Sequence, residues 1–422
     1  MSEKKKLLIY AHYYIPDTAS TGQILKELAE GMLETFDITV ICVVPSYLGT
    51  IEDKYKKQKY YHEKINGVDI LRIRVPEFSK INKFSRIKNI ISYFFGAMSA
   101  TFKVGKQDYV FSISQPPIIG GLLGVWGKWV KKAKFIYNIQ DYNPEQIIAV
   151  NYSGNKIVLG AMMFFDKFSC KRADKVIVVG RDMVETLKSR FDNKKVPMHT
   201  FINNWIDEKE IYPLPQDNHK IVVFKKKYDL EDKFIIMYSG NIGLYYDLEN
   251  IFKVMEKFPH GTKTETGKDV VFAFVGAGSI LDKLVMYKEE KKMDNVIFIP
   301  YQDKVDLNYS LNSGDVHWVV NAKGIKGVSC PSKCYGVMAT GKPVLGVLED
   351  GSECSLVINE TNCGLCCEPE KYDEIENQIK WFIENSETQE SKQMGKNGRD
   401  YLMKNLTKDV SVKKYIKEIL EC

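Results

Sequence analysis

Four stretches of the chain carry residues able to do chemistry. In NIQDYNPEQ, Asp141 and Glu145 are carboxylates four residues apart, just beyond an apolar run. Such a pair could divide acid and base duties or bind sugar hydroxyls. The plainer reading is that Asp141 starts a turn and Glu145, behind Pro144, complements a helix dipole. The stretch Val328 to Gly346, VSCPSKCYGVMATGKPVLG, reads as loop, short helix, glycine stop and buried strand. Ser332 stands where a cap belongs and Lys333 adds a cation. A phosphate there would meet unpaired N–H groups and the positive end of the helix dipole, unless this is an ordinary capped surface helix.

The other two stretches are glycine turns, SGNIG at Ser239 to Gly243 and VGAG at Val275 to Gly278. Glycine after an apolar run lets a ligand approach the backbone closely. GAGSIL lacks the third glycine of a dinucleotide fingerprint and follows the second strand of its domain, which argues against a nicotinamide site. His12, closing the first apolar run, reads as a structural histidine. Cys330, Cys334, Cys363 and Cys366 are spaced like zinc ligands, but no His lies among them and Cys367 breaks the pattern, so no metal is expected.

The elements that position these residues follow from the apolar runs. Lys6 to Tyr13 reads as a strand, Ile15 to Gly22 as a loop and Gln23 to Leu33 as a helix. Further strands are expected at Ile38 to Val44, Asp69 to Val75, Tyr109 to Ser114, Phe135 to Ile139 and Lys175 to Val179. The alternation restarts at Phe234 with FIIMYSG, VVFAFVG, NVIFIP, VHWVV and PVLGVL. Two doubly wound parallel α/β domains are therefore expected. Their bounds read as 1–205 and 229–400, joined by an Asn- and Pro-rich linker at 206–228. A C-terminal helical segment, 401–422, is expected to pack back on the first domain.

At 422 residues, with 44% hydrophobic and 27% charged residues, the chain can bury large cores and is not extensively disordered. Nine scattered cysteines imply no disulfide framework and fit a reducing cytosol. The first apolar run leads into Pro16 and Asp17 without a cleavage site, and reads as a strand rather than a signal peptide. The longest apolar run is far shorter than the ~18 to 20 residues that span a bilayer.

Charge is unevenly spread. Between Thr50 and Val110 there are thirteen Lys or Arg against six Asp or Glu. Within this region Phe84, Ile87, Ile91, Phe94, Phe95 and Met98 share one helical face, flanked by Lys83 and Lys88, with Arg86 behind. Such a helix suits the interface of an anionic membrane, or else faces a core with solvated lysines. A nucleic-acid-binding protein is a remote alternative, since no recognised module accompanies the basic face.

Taken together, these residues resemble bacterial family 4 glycosyltransferases of the GT-B fold, of the type building O-antigen and capsular polysaccharide. The motifs that carry the resemblance are YYIPDTASTGQ, IQDYNPE, KRADKVIVVGRDM, NNWID, YSGNIGLYYDLE, FAFVGAGS and PSKCYGVMATGKPVLG followed by GSE, in order over nearly the whole chain. The resemblance implies two Rossmann-like domains facing a cleft and retaining transfer of a sugar, hexose or N-acetylhexosamine, from a nucleotide diphosphate sugar. The donor would be UDP-linked and no metal or other cofactor would be required. The acceptor would be a polyprenyl-linked saccharide held by the first domain, and the enzyme peripheral on the inner face of the cell membrane. A soluble acceptor or a nucleotide-sugar epimerase is the alternative.

In these terms Gly22 faces the donor, Gly240, Asn241, Gly243, Gly276, Gly278, Ser332 and Lys333 line it, and Asp141 and Glu145 border the acceptor. Lys83, Arg86, Lys88, Phe94 and Phe95 make the membrane and acceptor side. The chain departs from the family at Val328 and Gly336, where two glutamates are common, and at Leu244 to Asp247, where an Arg and a Lys are missing. Glu353 is the expected substitute on the ribose, and Lys333 is expected to carry more of the diphosphate charge.

Overall fold

A computed structural model describes residues 4–17, 20–79, 82–149 and 154–422. The chain divides into two compact units, one of residues 1–203 with 411–422, the other of residues 204–410.

The first unit is built on β1 (Lys5–Tyr10), β2 (Phe36–Val43), β3 (Tyr60–Ile65), β4 (Val68–Ile73), β5 (Tyr109–Ile113), β6 (Lys134–Ile139), β7 (Lys175–Val178) and β8 (His199–Phe201). They form one sheet in the order β3-β4-β2-β1-β5-β6-β7-β8. Every pairing is parallel except β3 with β4. The central strands are near-continuous apolar runs because both of their faces are covered. The sequence reading missed β3, whose exposed His62 and Lys64 look like a charged loop. Its signal was Asn66-Gly67, both at positive φ (51° and 87°), a two-residue hairpin turn.

Right-handed crossovers running outward from β1 in opposite directions place helices on opposite faces. Helix Ser20–Gly31 shares its face with the C-terminal helix Lys408–Leu420, whose Val412 methyls stand 3.0 Å from where a Gly31 Cβ would lie. Tyr415 of that helix accepts a 3.0 Å hydrogen bond from Asn138, and Glu418 pairs with Lys175 at 2.7 Å. On the other face, helices Lys83–Thr101, Ile119–Lys131 and Lys156–Arg172 lie side by side.

The second unit holds β9 (Phe234–Ser239), β10 (Val270–Val275), β11 (Val296–Ile299), β12 (Val316–Val320), β13 (Val344–Val347) and β14 (Gly364–Cys367). All are parallel, in the order β11-β10-β9-β12-β13-β14. Phe252 of helix Leu248–Met255 packs on Phe274 and Phe298, with ring centroids 4.9 and 5.9 Å away.

Segment 206–228, expected as a linker, is instead part of this unit. It contains helix His219–Lys227, whose Phe224 is buried with Leu230, Ile235 and Met237 on one face of the sheet. Its Asn- and Pro-rich start is fixed by the side chains of Asn308 and Asn312, which accept from the Tyr212 and Leu214 N–H groups at 3.1 and 2.8 Å. Helix Gln389–Asn405 also stays in the second unit, its Arg399 donating to the Ala339 carbonyl at 2.8 Å. The chain joins the first unit only from Ser411 onward.

Candidate functional site

In the second unit, β9 is flanked by its sequence successor β10 on one side and by the later β12 on the other. The strand order reverses there, and a ligand crevice opens at the carboxyl ends of such strands. Both glycine turns meet at this edge. Gly240 and Gly276 lie at φ +147° and +148°, where L side chains rarely sit, and a Cβ on Gly276 would come 2.0 Å from the Gly240 carbonyl oxygen. A Cβ on Gly278 would come 2.1 Å from the Ile242 carbonyl oxygen. These glycines let the two turns press on each other, a requirement that exists before any ligand arrives. Gly243 has φ −130°, open to any residue, and its neighbour Asn241 is exposed.

Lys333, the first residue of helix Lys333–Ala339, reaches across this crevice. Its Nζ donates to the Tyr238 hydroxyl at 2.8 Å, and that hydroxyl donates to the Asn241 carbonyl at 2.5 Å. The amine also lies 3.7 Å from the Tyr246 ring centroid and 4.2 Å from that of Tyr238. Burial pushes the amine down to about 7; the electron-rich ring faces pull the other way, toward the ammonium.

One expectation is corrected here. Ser332 is exposed, in helical conformation (φ −60°, ψ −17°), and its side chain caps nothing. The N–H groups of Cys334 and Tyr335 bond back to the Pro331 and Ser332 carbonyls at 3.2 and 3.1 Å, so two donors of this short turn are already engaged. Lys333 supplies the side-chain cation of this turn. Glu353, expected on a ribose, is 2% exposed in the first turn of helix Glu353–Thr361, beside Tyr335. Val328 is buried, and a Cβ on Gly336 would face Leu311 Cδ1 at 3.4 Å.

The first unit has its own reversal point, β1 between β2 and β5. At the carboxyl ends of β1 and β5 is a cavity of about 370 Å³ whose lining includes His12, Tyr13, Tyr47, Arg86, Asn89 and Gln115. His12 is 9% exposed, and among the described residues its Nε2 has no hydrogen-bond partner. Burial pushes its pKa down to about 4, outweighing a side-chain hydrogen bond with Asn89. The imidazole is therefore neutral at pH 7. From its place at the end of the first strand the sequence reads it as a structural histidine; in the structure it also lines this cavity.

Asp141 stands one side chain away from this cavity, accepting from Gln115 Nε2 at 3.2 Å. Glu145 is not available as an acid or base. Its Oε1 accepts from Arg190 Nε at 2.7 Å and its Oε2 from Arg190 NH2, while Arg190 NH1 pairs with Asp166. The guanidinium also covers the Tyr142 ring at 4.1 Å, so the group is a structural clamp. Gly22, expected in an open loop, lies in the first turn of helix Ser20–Gly31, where a Cβ would sit 3.0 Å from the Tyr13 carbonyl oxygen. Thr18 and Ala19 of the expected loop lie outside the described residues. Lys83, Arg86, Lys88 and Phe95 are exposed and Phe94 is half-buried.

Residues 220–401 match the family model "Glycosyl transferases group 1". The chain is 25% identical over 305 residues to "Probable glycosyltransferase WbjE" of Pseudomonas aeruginosa, covering 72% of this chain and 73% of that one. It is 23% identical over 383 residues to "Putative colanic acid biosynthesis glycosyl transferase WcaI" of Escherichia coli K12, covering 88% and 90%. Among solved structures, Anabaena Alr3699/HepE in complex with UDP-glucose superposes with a TM-score of 0.68 at 12% identity, over 99% of both chains.

Proposed function

We propose that this chain, a GT-B glycosyltransferase with a group 1 domain at residues 220–401, moves a hexose or N-acetylhexosamine from a UDP-linked donor to a polyprenyl-linked saccharide, with retention, in surface polysaccharide synthesis. The observation that carries this reading is the tethered amine of Lys333 over the paired glycine turns, at the strand-order reversal of the second unit. A diphosphate laid along those turns would gain negative charge at its leaving oxygen as the anomeric C–O bond breaks. A fixed cation beside it lowers the barrier without reorganising.

In the same reading the acceptor saccharide enters the cavity of the first unit. Its hydroxyls donate to neutral His12 and accept from Gln115, and Arg86 attracts a phosphate on the lipid side. The acceptor oxygen bonds to the anomeric carbon as the old C–O bond breaks, and its proton passes to the departing phosphate oxygen. Helix Lys83–Thr101, with Phe84 and Phe95 exposed, brings this unit to the lipid that anchors the acceptor.

Thermal shift against a panel of nucleotide sugars identifies the donor, because a ligand of the native state raises apparent stability by mass action. Transfer from that donor to a polyprenyl-diphosphate saccharide, with the product anomer read by NMR, completes the test. Absence of any nucleotide-sugar shift would sink the donor assignment, an inverted anomer the retention. Epimerised donor formed without acceptor would favour the epimerase.

A further inference from the structure

The layer of helices Lys83–Thr101, Ile119–Lys131 and Lys156–Arg172 leaves an unusual number of large apolar side chains in solvent. Against the sheet and against each other these helices turn small residues. A Cβ on Gly96 would come 2.6 Å from Ile73, on Gly121 2.7 Å from Ser169, and on Gly124 2.0 Å from Phe135. The buried residues of Lys156–Arg172 are Asp166, Ser169 and Cys170. Tyr93, Leu123 and Val125 are buried with them, but many of the large apolar side chains stand outside. Phe84 is 84% exposed and Phe164 65%, with Ile91, Phe95, Trp129 and Phe165 also exposed. Rings link the helices across this outer surface, Phe102 with Trp126 at 5.8 Å and Trp129 with Phe168 at 6.3 Å.

Burying Phe and Ile against the sheet would be the stabilising arrangement for a helix in water. The first and third helices do the reverse over much of their length, and with Trp129 of the helix between them they expose clustered apolar side chains of the kind that mark an interaction surface. Its charge says with what. The three helices carry nine Lys or Arg and one acidic residue, Asp166, which is buried against Arg190. A second copy of the chain would set these cations against their like, whereas anionic lipid headgroups would neutralise them while the rings enter the acyl boundary.

We infer that this three-helix layer, and not helix Lys83–Thr101 alone, is a docking surface for an anionic lipid bilayer. The inference rests on the lipid-facing reading of the first helix and extends it to the Lys156–Arg172 helix and Trp129. It needs neither donor nor acceptor, so it can be tested apart from the transfer reaction.

Flotation of the full chain with phosphatidylcholine vesicles, with and without phosphatidylglycerol, is the experiment. Binding is expected only with the anionic lipid and weakens as salt is raised. Phe84→Ser with Phe95→Ser, and separately Phe164→Ser with Phe165→Ser, should each lower the partition coefficient by about tenfold or more. Lys156→Glu with Lys171→Glu should lower it as well, and since all these side chains except the half-covered Phe165 reach well into solvent, unchanged melting curves are expected. Loss in the first pair with wild-type binding in the second would confine docking to one helix and overturn the inference. Equal binding to neutral vesicles would overturn it too, as would a dimer in light scattering that the Phe→Ser pairs dissociate.

Discussion

Lys333 and Tyr238, ninety-five residues apart, are joined by a 2.8 Å hydrogen bond from the amine to the phenol. The phenol is fixed in turn, stacked 5.6 Å from Phe274 and bonded to the Asn241 carbonyl. The cation is therefore held by β9 and not by its own seven-residue helix, which is how a charge is kept in place for a developing anion.

Lys333→Ala should lower kcat/KM by ~10²-fold or more with the melting temperature retained. Tyr238→Phe keeps the ring and removes both bonds, so a smaller loss of about tenfold is expected, with about 1 kcal/mol of stability. Steady-state kinetics of the two variants check this order. Near-normal transfer by Lys333→Ala would remove the residue from the reaction.

The same amine predicts a pH dependence of donor binding. Free, it titrates near 7 because burial disfavours the ammonium. A bound diphosphate favours the ammonium, so binding above pH 7 must take up a proton. The donor Kd is then flat below pH 7 and rises by up to ~10-fold per unit above it, until the pKa of the complex is reached. Calorimetry in buffers of different ionisation enthalpy measures the uptake directly. Lys333→Arg stays charged throughout and should abolish the slope; a slope that survives in that variant belongs to another group.

Asp141 and Glu145, four residues apart in sequence, separate into different roles. Glu145→Gln weakens a bidentate pair with a guanidinium whose side chain is 3% exposed, so about 2 kcal/mol of stability should go. Turnover of what remains folded should stay within a few-fold of wild type. Asp141→Asn should do the opposite, keeping the melting temperature and lowering acceptor kcat/KM. If Glu145→Gln instead melts normally and loses turnover, the clamp is not what the carboxylate is for.

The parallel strands were legible in the sequence because burial on both faces writes them as short apolar runs, as in FIIMYS and VVFAFV. The two glycine turns were legible for the same reason, standing at the ends of those runs, and Lys333 was legible as the cation opening a short helix that a glycine stops. What could not be read is contact between distant positions. Nothing in NIQDYNPEQ announces that Arg190, forty-five residues on, takes both oxygens of Glu145. Periodicity likewise located the apolar stripe of Lys83–Thr101 but not its direction. That was decided by Gly96, which lets the helix sit on Ile73 with its small side inward.

Two buried histidines predict how the protein responds to acid. Burial pushes His12 down to about 4 and His317 to about 3, the latter also through Lys342 and against its 2.9 Å contact with the Leu311 carbonyl. In the unfolded chain each titrates near 6.5. Between these values the unfolded state binds protons that the folded state refuses, so the stability is fully present above about 6.5 and is lost as pH falls toward about 4. Each site contributes at most ~1.4 kcal/mol per pH unit in that window. Urea midpoints between pH 7 and 5 should therefore fall, and His12→Phe should make the fall shallower by the share of one histidine. The same substitution removes a hydrogen-bond acceptor from the first unit's cavity, so acceptor KM should rise by about tenfold while donor affinity is unchanged. An acid profile identical to wild type would show that His12 is already protonated or solvated when folded, and an unchanged KM would take the cavity out of acceptor binding.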